Sequence, residues 1–247
     1  MPDLAQTPYS VLSAPQQVAA AVKRDILEGK LKPGDKLPRE DELAALFGVS
    51  RPTIRAGLQE LCAAQILTVQ RGRNGGYSVG DFSLSILENN VSELISLSLV
   101  VETLTPAQFF EVRYALELLV AEVAAVKRDD DSLAQLEAIA EQAQGSMTSH
   151  EAFELDLRFH RLLAEATGNQ LLVTFEGAMI AVLHRLLGDG SAIDPGDSLG
   201  GVAAVVDGVR DQDPTDARNA MQSHLERVAS FYGLQTGPHA ALEAIQG

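Results

Sequence analysis

Gly48-Val49-Ser50-Arg51-Pro52-Thr53-Ile54-Arg55 decides how the first third of this chain is read. Gly48 follows the apolar Leu43, Leu46 and Phe47, and a glycine there can take the left-handed conformation that stops a helix. Ser50 then offers a hydroxyl to the free backbone donors of a second helix. The spacing of Ile54, Leu58 and Leu61 carries that helix from Arg51 to Ala64, and the preceding one runs from Arg39 to Phe47. Pro52 falls in the first turn, where its missing donor has no intrahelical partner. Two short helices joined by a glycine turn form a helix-turn-helix. Upstream, Val18, Val22 and Ile26 mark a first helix over residues 14–28, closed by Gly29. Downstream, residues 67–70 and 77–79 flank Arg71-Gly72-Arg73-Asn74-Gly75-Gly76, a turn that favours positive φ, so they read as a β-hairpin wing.

Charge separates the head from the remainder. Residues 1–80 carry a net +2 and residues 81–247 a net −17, within a total of −15. The acidic part would repel a phosphate backbone, which leaves the head to meet it. There, Arg51 and Arg55 lie one turn apart at the start of the second helix of the motif, the part that a recognition helix presents to the major groove. Arginine suits both phosphate contact and the paired acceptors of guanine. The single Cys62 excludes a disulfide framework and any multi-cysteine metal site, and fits a reducing, cytoplasmic setting. No cationic segment followed by an apolar core opens the sequence, and apolar stretches such as Leu94 to Val101 are too short for a bilayer. Neither secretion nor membrane insertion is therefore expected.

Past Gly80 the pattern changes to long amphipathic helices, which places a linker near residues 80–84. The domains expected are a winged helix-turn-helix over 1–80 and a helical unit over 84–247. Thr105-Pro106-Ala107-Gln108 combines a cap, a proline at the first helical position and a returning glutamine, and Asp213-Pro214-Thr215-Asp216 repeats the device. With stops at Gly145, Gly168, Gly188 and Gly233, the fold class is mainly α: a winged head followed by an antiparallel all-α bundle of six or seven helices. Residues 191–201, rich in Gly, Asp and Pro, read as a loop. Asp156 and His160, at i and i+4, leave one face of a helix, as a pair sharing a cation must. The same spacing serves equally for a simple carboxylate–imidazole hydrogen bond. Arg113 stands four residues before Glu117 and could form an intrahelical pair with it. His184 lies on the helix after Gly168 and could face the bundle interior.

Leu37-Pro38-Arg39-Glu40-Asp41-Glu42-Leu43, the stretch from Gly48 to Arg55 and the Arg71–Gly76 wing together resemble the winged helix of the GntR family of bacterial transcription regulators. Residues 111–117, Asp156-Leu157-Arg158-Phe159-His160 and Met221-Gln222-Ser223-His224-Leu225 are similar to the all-helical effector (FCD-type) domain of its FadR-like branch. The resemblance implies a homodimer on a palindromic double-stranded operator, with repression relieved by a small molecule. It assigns DNA contact to Arg39, Ser50, Arg51, Thr53, Arg55, Arg71, Arg73 and Gly75. One departure is Asp41, which stands where relatives commonly carry an arginine. The resemblance turns Arg113 into the effector pocket, where a guanidinium fork suits a carboxylate, and His184 is taken as a second effector contact. It assigns a divalent metal (Zn, Ni or Mn) to Asp156, His160 and His224. A further histidine of that pattern falls on Val202, which offers no ligand.

Two other readings stay open. The helical domain could be metal-free and sense an acyl-CoA or another bulky ligand. A metal-dependent enzyme could use Asp156, His160 and His224, but no nucleophile or paired acid and base stands beside them, so the chain is not read as an enzyme.

Overall fold

The computed structural model describes residues 12–70, 72, 75–188 and 194–231. The wing arginines Arg71 and Arg73 and the expected stop at Gly233 lie outside them. The described residues form two compact units that divide between Ser83 and Leu84.

In the first unit, α1 (Ala14–Leu27), α2 (Glu40–Phe47) and α3 (Arg51–Ala63) precede the antiparallel strands β1 (Leu67–Gln70) and β2 (Gly76–Val79). Gly48 ends α2 at φ 64°, and Ser50 caps α3 by accepting from the Thr53 amide. Val18, Val22, Leu43, Ile54, Leu58, Leu61, Leu67 and Val79 close around one core. Each such side chain contributes roughly 1.5–3 kcal/mol when buried. The apolar face of α2 is narrower than its sequence suggests: Leu43 is buried, whereas Leu46 points outward. An eight-residue helix can turn only one side to the core, and here Leu43, Ala44 and Phe47 occupy it. The wing has a further edge. Lys36 bridges to Ser78, with Leu37 N–H donating to the Tyr77 carbonyl and Val79 N–H to that of Asp35.

The second unit consists of α4 (Leu84–Val100), α5 (Pro106–Lys127), α6 (Asp130–Gln142), α7 (Ser149–Ala166), α8 (Gln170–Leu187), α9 (Pro195–Leu199), α10 (Val202–Arg210) and α11 (Pro214–Phe231). Seven have nine residues or more. The eighth, five-residue α9, lies within the stretch read as a loop, where Asp194 caps it through the Gly196 amide. Thr105 and Gln108 form the expected capping box of α5, and Asp213 accepts from the amides of Thr215 and Asp216 to start α11. A box that the sequence reading did not mark, Thr148 with Glu151, starts α7. α5 packs on α7, α10 and α11, and α4 packs along α8. Phe159, Leu136, Ile139, Leu163, Val202, Val205 and Met221 fill the core between them.

α8 is 18 residues long and apolar enough to cross a membrane by length and composition, which the sequence reading overlooked. In this fold it is a core helix that buries Glu176 among other ionisable groups. α10 meets α11 so closely at Gly208 that a Cβ there would stand 2.5 Å from the Ala217 amide nitrogen. Gly→Ala inside a helix ordinarily stabilises by about 0.5–1 kcal/mol. At Gly208 overpacking against backbone reverses the sign, and Gly208→Ala is expected to destabilise the helical unit by about 1–3 kcal/mol in denaturant unfolding.

Candidate functional site

The helical unit gathers its chemistry in its interior. α7 buries Asp156 and His160 on one face, and α11 brings the fully buried His224 to them. The two Nε2 atoms lie 3.2 Å apart, and Asp156 Oδ1 stands 3.3 Å from that of His224 and 3.7 Å from that of His160. On the far side of the His160 ring, Nδ1 is 2.7 Å from Glu117 Oε2 on α5. Glu117 Oε1 in turn lies 2.9 Å from Arg113 Nη2. Arg113, Asp156, His160 and His224 thus come together from three helices, with Arg113 joined through Glu117 rather than directly.

The outer nitrogens decide what the inner ones can do. His224 Nδ1 is 3.0 Å from the Gly200 carbonyl, which can only accept, so that nitrogen carries the hydrogen. Burial works against charge on Glu117, but the charges of His160 and Arg113 outweigh it and hold the carboxyl well below its usual range. As an ionised acceptor it takes a hydrogen from His160 Nδ1. In their neutral forms, both rings therefore turn an Nε2 lone pair toward the same point. Asp156 Oδ1, buried and without a directed hydrogen bond, faces that point as well. Three acceptors around one spot need a proton or a cation between them. Burial lowers the His224 pKa, but Asp156 and the Gly200 carbonyl raise it overall. Two imidazoles and a carboxylate are also a donor set that Zn, Ni and Mn accept.

Glu117, His160 and Glu176 form a second trio of neighbouring donor atoms. It suits a cation less well, because the Arg113 guanidinium is already seated on Glu117 and His160 turns a hydrogen toward it. Burial first, and then the charge of Glu117, push the Glu176 carboxyl well above the carboxylate range. The sequence reading missed Glu176; the signal was one acidic residue in the otherwise apolar run from Leu171 to Leu183.

Beside Arg113 a small pocket is lined by Phe110, Tyr114, Leu225, Val228 and Ala229. Arg113 Nε is buried without a hydrogen-bond partner. His184 does not join this group. Its ring is half-exposed, pairs with Glu154 at 3.0 Å and packs beside Phe153, because it sits near the C-terminal end of α8, about two turns beyond Glu176. Val202, where the further histidine was expected, is packed in the apolar core at the start of α10.

In the first unit Arg51 and Arg55 are exposed along α3. Both ends of the Arg55 fork are taken by Glu40 at the start of α2, with Nε to Oε1 at 3.0 Å and Nη2 to Oε2 at 2.6 Å. Arg51 Nη2 stands 3.9 Å from the same carboxylate. The Arg55 hydrogen bonds hold Glu40 below its usual pKa. Ser50 and Thr53 link their hydroxyls at 2.7 Å. Arg39 precedes α2, is exposed and donates its amide to Glu42, while the exposed Gly75 donates its amide to the Gly72 carbonyl.

Comparison with known proteins agrees with both units. Residues 14–75 match the family described as "Bacterial regulatory proteins, gntR family", and residues 108–227 match the FCD domain. The chain is 27% identical to the HTH-type transcriptional repressor NanR of Cronobacter sakazakii, over 91% of this chain and 87% of that protein. It is 34% identical to the HTH-type transcriptional regulator LutR of Bacillus subtilis, over 60% of this chain and 65% of LutR. Among solved structures, Streptococcus agalactiae GntR superposes with a TM-score of 0.56 at 25% identity, covering 87% of this chain and 99% of that one. With its helix-turn-helix head and its all-helical FCD domain, the chain belongs to the GntR family of bacterial transcription regulators.

Proposed function

We propose that this protein is a cytoplasmic, homodimeric repressor that holds a palindromic operator with two heads and releases it when a small carboxylate binds in the helical unit beside a divalent cation. The domains of this reading are 1–80 for DNA and 84–247 for sensing and dimerisation. The observation that carries it is the convergence of Asp156 Oδ1, His160 Nε2 and His224 Nε2 on one buried point. A divalent ion held by these three would supply a fixed positive charge for an effector oxygen. The partnerless Nε of Arg113 supports a contact of this guanidinium with an effector carboxylate. The packed Val202 side favours this reading over an acyl-CoA or another bulky ligand. The name of NanR supports repression, and the relatives' regulatory roles favour a sensor over an enzyme.

In the head, Arg51 and Arg55 read the major groove, with Arg39, Ser50, Thr53 and Gly75 and the wing residues Arg71 and Arg73 on the adjoining backbone. Two heads require two chains. The exposed Leu87, Leu94, Leu97 and Val101, at helical spacing along α4 and just beyond it, support association through the helical unit.

The primary experiment selects an operator from random duplex DNA and measures its release by small carboxylates with and without Zn, Ni or Mn. Arg55→Ala is expected to weaken operator binding by about 1–3 kcal/mol, whereas Glu40→Gln strengthens binding to unrelated DNA and steepens its salt dependence by about one unit. Elemental analysis should find metal in the wild type and its loss in His160→Ala and His224→Ala, both of which keep operator affinity but lose the carboxylate response. Metal retained in both variants would refute the assigned ligands. Leu94→Asp with Leu97→Asp should shift the sedimenting species from dimer to monomer; a wild-type monomer at micromolar concentration would refute the dimer.

A further inference from the structure

Glu117 belongs to neither the cation trio nor the lining of the Arg113 pocket, yet it is fully buried and touches members of both. An imidazole binds a cation only through an unprotonated nitrogen, and the hydrogen bond made by its other nitrogen settles which one that is. For His224 the Gly200 carbonyl makes this choice. For His160 the acceptor at Nδ1 is Glu117, at 2.7 Å.

We propose that Glu117 is the positioning residue of the cation site: it holds His160 as the Nδ1–H tautomer, with its ring turned so that Nε2 faces Asp156 and His224. The proposal rests on the cation reading above and adds to it a residue outside the ligand set. Arg113 is part of the same device. Its Nη2, 2.9 Å from the other Glu117 oxygen, keeps that carboxylate in place and charged without entering the cation site. Phe159, packed against both histidine rings with centroids 5.2 and 6.0 Å away, limits how far either ring can turn once its outer nitrogen is held.

Two measurements on the full-length protein test this. In the metal-free wild type at alkaline pH, long-range proton–nitrogen correlation spectra of the histidine side chains should show His160 protonated at Nδ1 and bare at Nε2. A purely structural role for Glu117 would not require that tautomer, and finding His160 protonated at Nε2 overturns the proposal without any substitution. Second, Zn2+ affinity is measured by competition with a chromophoric chelator in the wild type and in Glu117→Gln, with circular dichroism to confirm that the variant is folded. A folded Glu117→Gln should bind Zn2+ roughly 10–100-fold more weakly. Equal affinity in both proteins overturns the positioning role and leaves the cation site standing. A wild type that takes up none of Zn2+, Ni2+ or Mn2+ overturns the cation reading itself, and with it the purpose assigned to Glu117.

Discussion

Burying Arg113, Glu117, Asp156, His160, Glu176 and His224 in one bundle interior is the constraint to which the helical unit answers. An isolated ion in such a place carries a penalty that no single contact offsets, so each charge needs a partner and each partner needs a position. The arrangement meets this in sequence. The guanidinium is matched by Glu117, Glu117 is shared with an imidazole, and burial beside that charge pushes the Glu176 pKa up. Unmatched atoms remain at Asp156 Oδ1, which faces the two Nε2 atoms, and also at Arg113 Nε and on Glu176. Three of the helices supplying these groups, α5, α7 and α11, also contribute to the main core, so the geometry of the site and the stability of the fold rest on shared packing.

The head solves a milder version of the same problem at its surface. Arg55 is held through Nε and Nη2 against Glu40, so α3 presents an ordered side chain rather than a freely rotating one. Ordering before contact reduces the entropy lost on binding. The carboxylate also gives any incoming phosphate something to displace. On the proposed reading this exchange would discourage non-specific association.

Local chemistry made much of this legible in the chain itself. Ser50 after Gly48, Thr105 before Pro106 and Asp213 before Pro214 each announce a helix start through an interaction spanning three residues, and the structure has helices there. Asp156 and His160 share a face because helical spacing requires it. Contacts that depend on the tertiary path were not legible. Lys36 joins the wing because the segment before α2 runs back along β2, and nothing within residues 35–37 says so. Glu176 is brought beside Glu117 of α5 by the packing of the helices, whereas His184, on the same helix, ends near the surface with Glu154. Spacing alone allows Arg113 and Glu117 only an intrahelical pair; burial makes both part of the candidate site.

One carboxylate faces both the guanidinium and the imidazole, so on the proposed reading an anion at Arg113 and a cation at His160 would be coupled through it. An anion that draws the Arg113 charge toward itself leaves more of the Glu117 charge for His160, which makes that ring a stronger base for a cation. Thermodynamic linkage makes the effect reciprocal, so a cation at His160 raises the affinity for the anion by the same factor. On the proposed reading the effector threshold would not be fixed: it would move with the free metal concentration, and metal starvation would leave the operator closed at effector levels that would otherwise open it.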